Sequence, residues 1–149
     1  MTQENPQIAA AKKDHNPATV LRMQSGFVVM YPSQFLPGYC MLLAYPQVQA
    51  LQDLPHAQRV AFLTDMSVIG EAVEAVCQPN RINYAILGNK DPFLHAHIIP
   101  RYASESETYR LQSIWSYPDA IWTDSEHVFS AEKHAILRDA IKQKIRDLC

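Results

Sequence analysis

Glycine is scarce in this chain. The four glycines, Gly26, Gly38, Gly70 and Gly88, stand far apart. Neither the GxGxxG turn of a dinucleotide-binding domain nor the GxxxxGK loop of a P-loop ATPase can be built from them. Cysteine is nearly as sparse: Cys40, Cys77 and Cys149 are odd in number and form no CxxC pair. Neither a structural zinc site nor a redox dithiol is signalled, and the reading is of thiols acting as small apolar fillers in a reducing compartment. No apolar run approaches the roughly 20 residues of a membrane span, and the polar start MTQENPQIAA has no signal-peptide core. The expectation is a cytoplasmic protein with no membrane partner. A basic excess is missing too: 13 Lys and Arg face 15 Asp and Glu, for a net charge of −2. Bulk electrostatic binding of a nucleic-acid polymer is thereby disfavoured, whereas a local site for one nucleotide is not.

What is present reads as one globular domain. The 149 residues are 48% hydrophobic and 19% charged, enough to bury a single core. Residues 1–16 read as a loose polar lead-in, with order starting at Asn16-Pro17. Phe27 to Tyr31 is β-branched and aromatic, as is expected of a buried strand. A proline-bounded turn, Pro32 to Gly38, leads to a second strand, Tyr39 to Ala44, which suggests an antiparallel hairpin. Asp53 reads as a helix N-cap with Leu54 and Pro55 opening the first turn. From there to Cys77, Val60, Leu63, Met66, Ile69, Val73 and Val76 recur at helical spacing. Ile82 to Leu87 and Leu94 to Ile99 read as further strands around the polar loop Gly88 to Pro92. Residues 103–149 form an aromatic, then helical, extension. Its last helix begins near Ser130 and carries Ile136, Leu137, Ala140, Ile141 and Ile145. The pattern is α+β: an antiparallel sheet with two main helices.

The strand Phe93-Leu94-His95-Ala96-His97-Ile98-Ile99 carries the chemistry. Alternate side chains share a face, so Leu94, Ala96 and Ile98 go to the core while Phe93, His95, His97 and Ile99 face the other way. The two imidazoles then sit roughly 6.6 Å apart along the strand. On spacing alone three readings stand: packed strand histidines, two ligands of a metal site, or a nucleophile beside an oxygen-contacting partner. No HExxH and no nearby acidic cluster strengthens the metal reading. The other four histidines, His15, His56, His127 and His134, carry no supported role.

With Pro100-Arg101 following, this strand resembles the signature of the histidine triad (HIT) superfamily, a His-φ-His-φ-His-φ-φ strand in which φ is apolar. The resemblance extends upstream to Gln34-Phe35-Leu36-Pro37-Gly38-Tyr39, to the helix from Pro55, and to Ile82-Asn83-Tyr84 through Leu87-Gly88-Asn89. It implies a HIT-like sheet of about five strands with a long helix packed on one face and a C-terminal helix. It also implies a bacterial-type nucleotide hydrolase similar to diadenosine polyphosphate hydrolases, working without metal or other cofactor, and a homodimer. His95 corresponds to the family's nucleophile, which attacks the α-phosphorus to give a covalent nucleotidyl-histidine, and His97 to the histidine that contacts the equatorial oxygens. The Phe93 carbonyl corresponds to the acceptor for the other ring nitrogen of His95.

Asn89 and Lys90, just before the strand, suit an anion and are candidate substrate contacts, with Asn83 beside them on the neighbouring strand. Arg101 reads as structural or solvent-facing. Three positions depart from the family pattern. Phe93 replaces the first triad histidine, Tyr39 replaces a histidine common after the hairpin Pro-Gly, and Tyr31, with Pro32 beside it, replaces the ribose-gripping acid or amide. Phe93 and Tyr39 are kept as candidate substrate-face residues that pack together in a rebuilt site. A nucleotide-binding protein with little catalysis is the alternative these departures leave.

Overall fold

The computed structural model describes residues 3–149. Among the described residues, twelve segments of regular structure follow one another. Helix α1 (Pro6–Lys12) precedes strands β1 (Thr19–Met23), β2 (Gly26–Met30) and β3 (Cys40–Ala44). A 3₁₀ turn (Leu51–Asp53) leads into the long helix α2 (His56–Cys77), followed by β4 (Arg81–Ala85) and β5 (His95–Arg101). Then come α3 (Glu107–Arg110), a second 3₁₀ turn (Ile114–Ser116), α4 (Asp119–Trp122) and α5 (Ala131–Leu148). The five strands form one antiparallel sheet in the order β1-β2-β3-β5-β4, with α2 and α5 on one face, as the α+β expectation required.

Every residue of β2, β3 and β5 is buried, because both faces of the central sheet are covered. Val28, Met30, Leu42, Ala96 and Ile98 meet Phe62, Ile69 and Val73 of α2 and Ile141 and Ile145 of α5. On the other face, Phe27, Val29, Met41 and Leu43 are covered by Ile8 and Ala11 of α1. The lead-in expected to be loose is therefore a docked helix over its central part. Ile8 is completely buried, and Asn5 caps the helix by accepting from the Gln7 amide at 2.8 Å. The short, polar composition of the segment hid this, since only two of its side chains need to be apolar to dock.

Other departures are local. Strand β1 was not anticipated: its Thr-Val-Leu-Arg-Met pattern alternates only partly and carries an irregularity between Thr19 and Leu21. Asp53 does not cap α2. Its carboxylate accepts from the Ala50 amide inside the 3₁₀ turn, and Pro55 holds the cap position instead. On α2, Val60 and Leu63 are exposed while Phe62 and Ala72 are buried, so the core stripe is rotated from the expected one. On α5, Ile136 is 88% exposed and the buried stripe runs through Ile141 and Ile145. Strand β4 ends at Ala85, opposite His97, two residues earlier than expected.

Arg101 ties the C-terminal extension to the sheet. It continues β5 past Pro100, opposite Arg81. Its guanidinium is buried with the Glu105 carboxylate, 2.9 Å away, and donates to the carbonyls of Gln112 and Tyr109 at 2.7 and 2.9 Å. Burial alone would push Glu105 up, but donation from Arg101, Tyr117 O–H and the Tyr102 amide outweighs it and holds the carboxyl below its ordinary value. Arg101→Met should cost about 3–5 kcal/mol in urea unfolding, because it leaves a buried carboxylate unpaired. Arg101→Met/Glu105→Gln should recover part of that loss.

Candidate active site

His95 and His97 lie on the sheet face opposite α2, as the strand alternation requires. They pair across to Leu43 and Met41 of β3, and both are largely buried. Their ring centroids are 5.1 Å apart at an interplanar angle of 70°. His97 is flanked by β4 at Ala85, but β4 leaves the sheet there. Leu87 to Asp91 then arch away from His95 through Gly88, whose φ of +93° suits glycine. The space this opens is a cavity of about 760 Å³ with both imidazoles in its lining. One wall is the arch, including Asn89, Lys90 and Asp91; a second is Asn5, Pro6 and Gln7 at the start of α1. Trp115, Asp119 and Trp122 of the extension close a third side.

Each imidazole is held through its Nδ1. His95 Nδ1 lies 2.8 Å from the Phe93 carbonyl. A carbonyl only accepts, so Nδ1 carries the hydrogen and the Nε2 lone pair is free. The Phe93 ring stacks on the His95 ring at 4.5 Å. His97 Nδ1 lies 2.7 Å from the Tyr39 hydroxyl. Tyr39 is completely buried and stacks on Tyr31 with centroids 4.1 Å apart and planes 6° from parallel. The hairpin loop between β2 and β3 is plugged by the buried Gln34 amide. It donates to the Tyr31 and Tyr39 carbonyls and accepts from the Gly38 amide, fixing Tyr39 beneath His97. Trp115 and His97 form a T-shaped pair with centroids 5.4 Å apart, and Trp122 and Tyr31 another at 5.8 Å.

The residues singled out in the sequence therefore fall into three groups. His95, His97, Asn89, Lys90 and Phe93 converge on the cavity. Tyr39 does not reach it and supports His97 from behind. It does not pack on Phe93 either: each aromatic ring packs against its own histidine. Asn83 is not in the lining, because its side-chain oxygen accepts from Arg101 at 3.1 Å. Among the described residues, His95 and His97 gather no third metal-ligating side chain. The sequence missed the lining residues Trp115, Trp122, Asp119 and Asp91 as individuals. The density of aromatics between Tyr109 and Phe129 was the available signal for the two tryptophans.

Burial lowers His97 to about 4, the neighbouring His95 adds to the effect, and Asp91 opposes it. Burial also raises the Tyr39 phenol far above its ordinary value. Unfolded, His97 takes up a proton as pH falls through 6.5; folded, it does so only near 4. The unfolded state binds the extra proton between those values, so stability falls on acidification across that window. The slope from this group is at most about 1.4 kcal/mol per pH unit. Urea unfolding of His97→Gln between these pH values should show a shallower slope than the parent protein.

No curated protein gives a significant match to the sequence. Solved structures do match in fold. A histidine triad protein from Marinobacter aquaeolei VT8 superposes with a TM-score of 0.71 at 21% identity, covering 100% of this chain and 99% of its own. A hypothetical histidine triad nucleotide-binding protein from Sulfolobus tokodaii strain7 gives 0.70 at 11% identity, covering 95% and 91%. The Plasmodium falciparum diadenosine triphosphate hydrolase, in complex with cyclomarin A, gives 0.64 at 14% identity, covering 89% and 78%. At such identities the likeness is one of fold. The HIT domain family itself matches residues 14–104, well over half of the sequence and the whole of the sheet, and the chain belongs to the HIT family.

Proposed function

We propose that the protein is a nucleotide hydrolase that cleaves a phosphoanhydride or phosphoramidate at the α-phosphorus, with His95 as nucleophile and His97 contacting the equatorial oxygens. The observation that carries this reading is the hydrogen bond from His95 to the Phe93 carbonyl. It leaves one lone pair free in a cavity large enough for a nucleotide. In-line attack forms an Nε2–P bond and expels the leaving group, and water then resolves the nucleotidyl-histidine. Asn89 and Lys90 supply an amide donor and a positive charge from the arch. Dinucleoside polyphosphates such as diadenosine tetraphosphate, and nucleoside phosphoramidates, are the substrate classes to test.

His95→Ala should reduce kcat by about 10⁴-fold or more, as removal of a nucleophile does elsewhere. Acid-labile nucleotidyl-histidine should be trapped on the parent protein and not on the variant. The second reading, nucleotide binding with little turnover, is favoured by Phe93, whose side chain cannot hydrogen-bond. It is upheld if calorimetry detects AMP binding while His95-dependent hydrolysis is absent.

A homodimer belongs to the same proposal. Strand β4 is an open sheet edge with Tyr84 exposed, and α2 exposes Val60 and Leu63. Light scattering after size exclusion should give about twice 16.9 kDa. Val60→Glu/Leu63→Glu should return the mass to that of one chain.

A further inference from the structure

The start of helix α5 stands off the sheet. Its buried side chains are Ile141 and Ile145, while Leu137, one turn earlier, is half-buried and Ile136 is exposed. The hairpin loop before β3 instead presses on the end of α2. A methyl group added at Gly38 would come within 2.7 Å of Cys77 Sγ. Between the lifted helix and this loop lies a second cavity of about 540 Å³, a size that takes a small organic molecule. Its walls come from Phe35 of the loop, Cys77 of α2, Tyr102 and Tyr117 of the extension, Ile121 of α4 and Leu137 of α5.

This cavity is separate from the one that holds the histidines. Along residues 115–122 the side chains divide between the two. Trp115, Asp119 and Trp122 line the histidine cavity, whereas Tyr117 and Ile121 line the second one. Phe35 backs onto the shared wall and forms T-shaped pairs with Tyr117 and Trp122, each with centroids 5.0 Å apart. The opposite wall is fixed as well. Residues 127–129 run along the hairpin loop: the Gln34 backbone amide donates to the His127 carbonyl at 2.6 Å, and the Phe129 amide to the Pro32 carbonyl at 2.7 Å. A shape held by backbone hydrogen bonds needs little reordering to receive a ligand.

The chemistry of the lining selects among ligands. Its phenolic hydroxyls are already engaged: Tyr102 O–H donates to the Pro37 carbonyl, and Tyr117 O–H to the Glu105 carboxylate at 2.6 Å. The Glu105 charge is matched by Arg101. What Phe35, Tyr102 and Tyr117 have left to offer is ring surface, which packs against flat apolar groups and attracts cations. His127 also lies in the lining, and a nitrogen of its ring is within 4.8 Å of carboxylate oxygens of Asp124 and Glu126. Both acids are exposed, so they set a negative field at that end of the cavity rather than forming a closed metal cage. Lys133, close by, reaches the Glu126 backbone carbonyl at 3.4 Å, and one lysine against two carboxylates leaves the excess negative.

We propose that this second cavity is a binding site for an aromatic amine. The ring system seats against Phe35, Tyr117 and Leu137, and the ammonium group points to the Asp124 and Glu126 end. A carboxylate on the same ring meets the wrong sign of charge, and an uncharged ring gains nothing from that field. Occupancy calls on neither His95 nor His97, so it stands whether or not the protein turns over a nucleotide.

NMR titration of the ¹⁵N-labelled full chain tests the assignment with three probes that share one ring system: 2-(2-naphthyl)ethylamine, 2-naphthylacetate and 2-(2-naphthyl)ethanol. The amine should bind with a Kd at or below about 1 mM, the level expected of a ligand of this size. It should bind at least about threefold more tightly than either of the others. The His127 ring signals should shift on binding, while those of His95 and His97 stay in place. Asp124→Asn/Glu126→Gln alters two exposed positions and should erase the preference for the amine. An amine Kd weaker than about 1 mM overturns the proposal, and so does equal or tighter binding of the acetate or the alcohol. Shifts at His95 and His97 without one at His127 place the ligand in the histidine cavity and overturn the second site. A preference that survives in the double variant overturns the role of the two acids, and the aromatic-amine assignment with it.

Discussion

Strand β5 is paired on both edges only at His97 and Ile98. Strand β3 pairs with it through His95, but β4 stops at Ala85, opposite His97, and lifts away. The two histidines thus belong to one rigid strand while differing in what stands beside them. Both residues are paired to β3, so the separation and common facing of the imidazoles are set by sheet geometry rather than by a flexible loop. Beyond Ala85 the chain becomes the arch that turns away from His95. Pairing supplies the rigidity, and its interruption supplies the opening.

The cost of burying polar groups next to this opening is offset in two places. At the cavity, each imidazole spends one nitrogen on a fixed partner, the Phe93 carbonyl or the Tyr39 hydroxyl, so neither ring is free to turn. At the far end of β5, the Arg101 guanidinium satisfies Glu105, Asn83 and two carbonyls at once. That second network lies outside the cavity lining. It decides where residues 102–117 lie, and so where Trp115 meets His97.

The sequence made legible those parts of the molecule in which one pattern is repeated many times. Strong apolar runs announced β2 and β3, and alternation placed Leu94, Ala96 and Ile98 on the core and the histidines opposite. Helical spacing found α2 and α5, but a run of apolar residues wider than the buried stripe does not say where the stripe is centred. Hence Ile136 is exposed and Phe62 buried. Helix α1 and strand β1 were not legible, because each depends on tertiary partners more than on its own composition. Asn83, a candidate substrate contact in the sequence, pairs with Ile99 across β4 and β5. Its side chain was claimed by Arg101, a residue 18 positions away whose demands no local pattern displays.

The three departures from the HIT pattern belong together physically. Each puts a phenyl or phenol ring where the pattern has an imidazole, acid or amide, and the rings pack into the site: Phe93 on His95, and Tyr31 on Tyr39, which lies beneath His97. Trp122 and Trp115 of the extension complete the same apolar shell. Burial, with neighbouring His95 adding to it, is what lowers the pKa of His97. A histidine at position 39 could take up a proton of its own and pass it on. A deeply buried phenol at that position fixes a hydrogen and keeps it. The C-terminal extension and the altered hairpin residue therefore act on one property, the proton inventory of the cavity. Reverting Tyr39 alone would leave Trp115 and Tyr31 in place to keep His97 dry. In this chain the aromatic extension is as much a part of the site's electrostatics as the strand that carries the histidines.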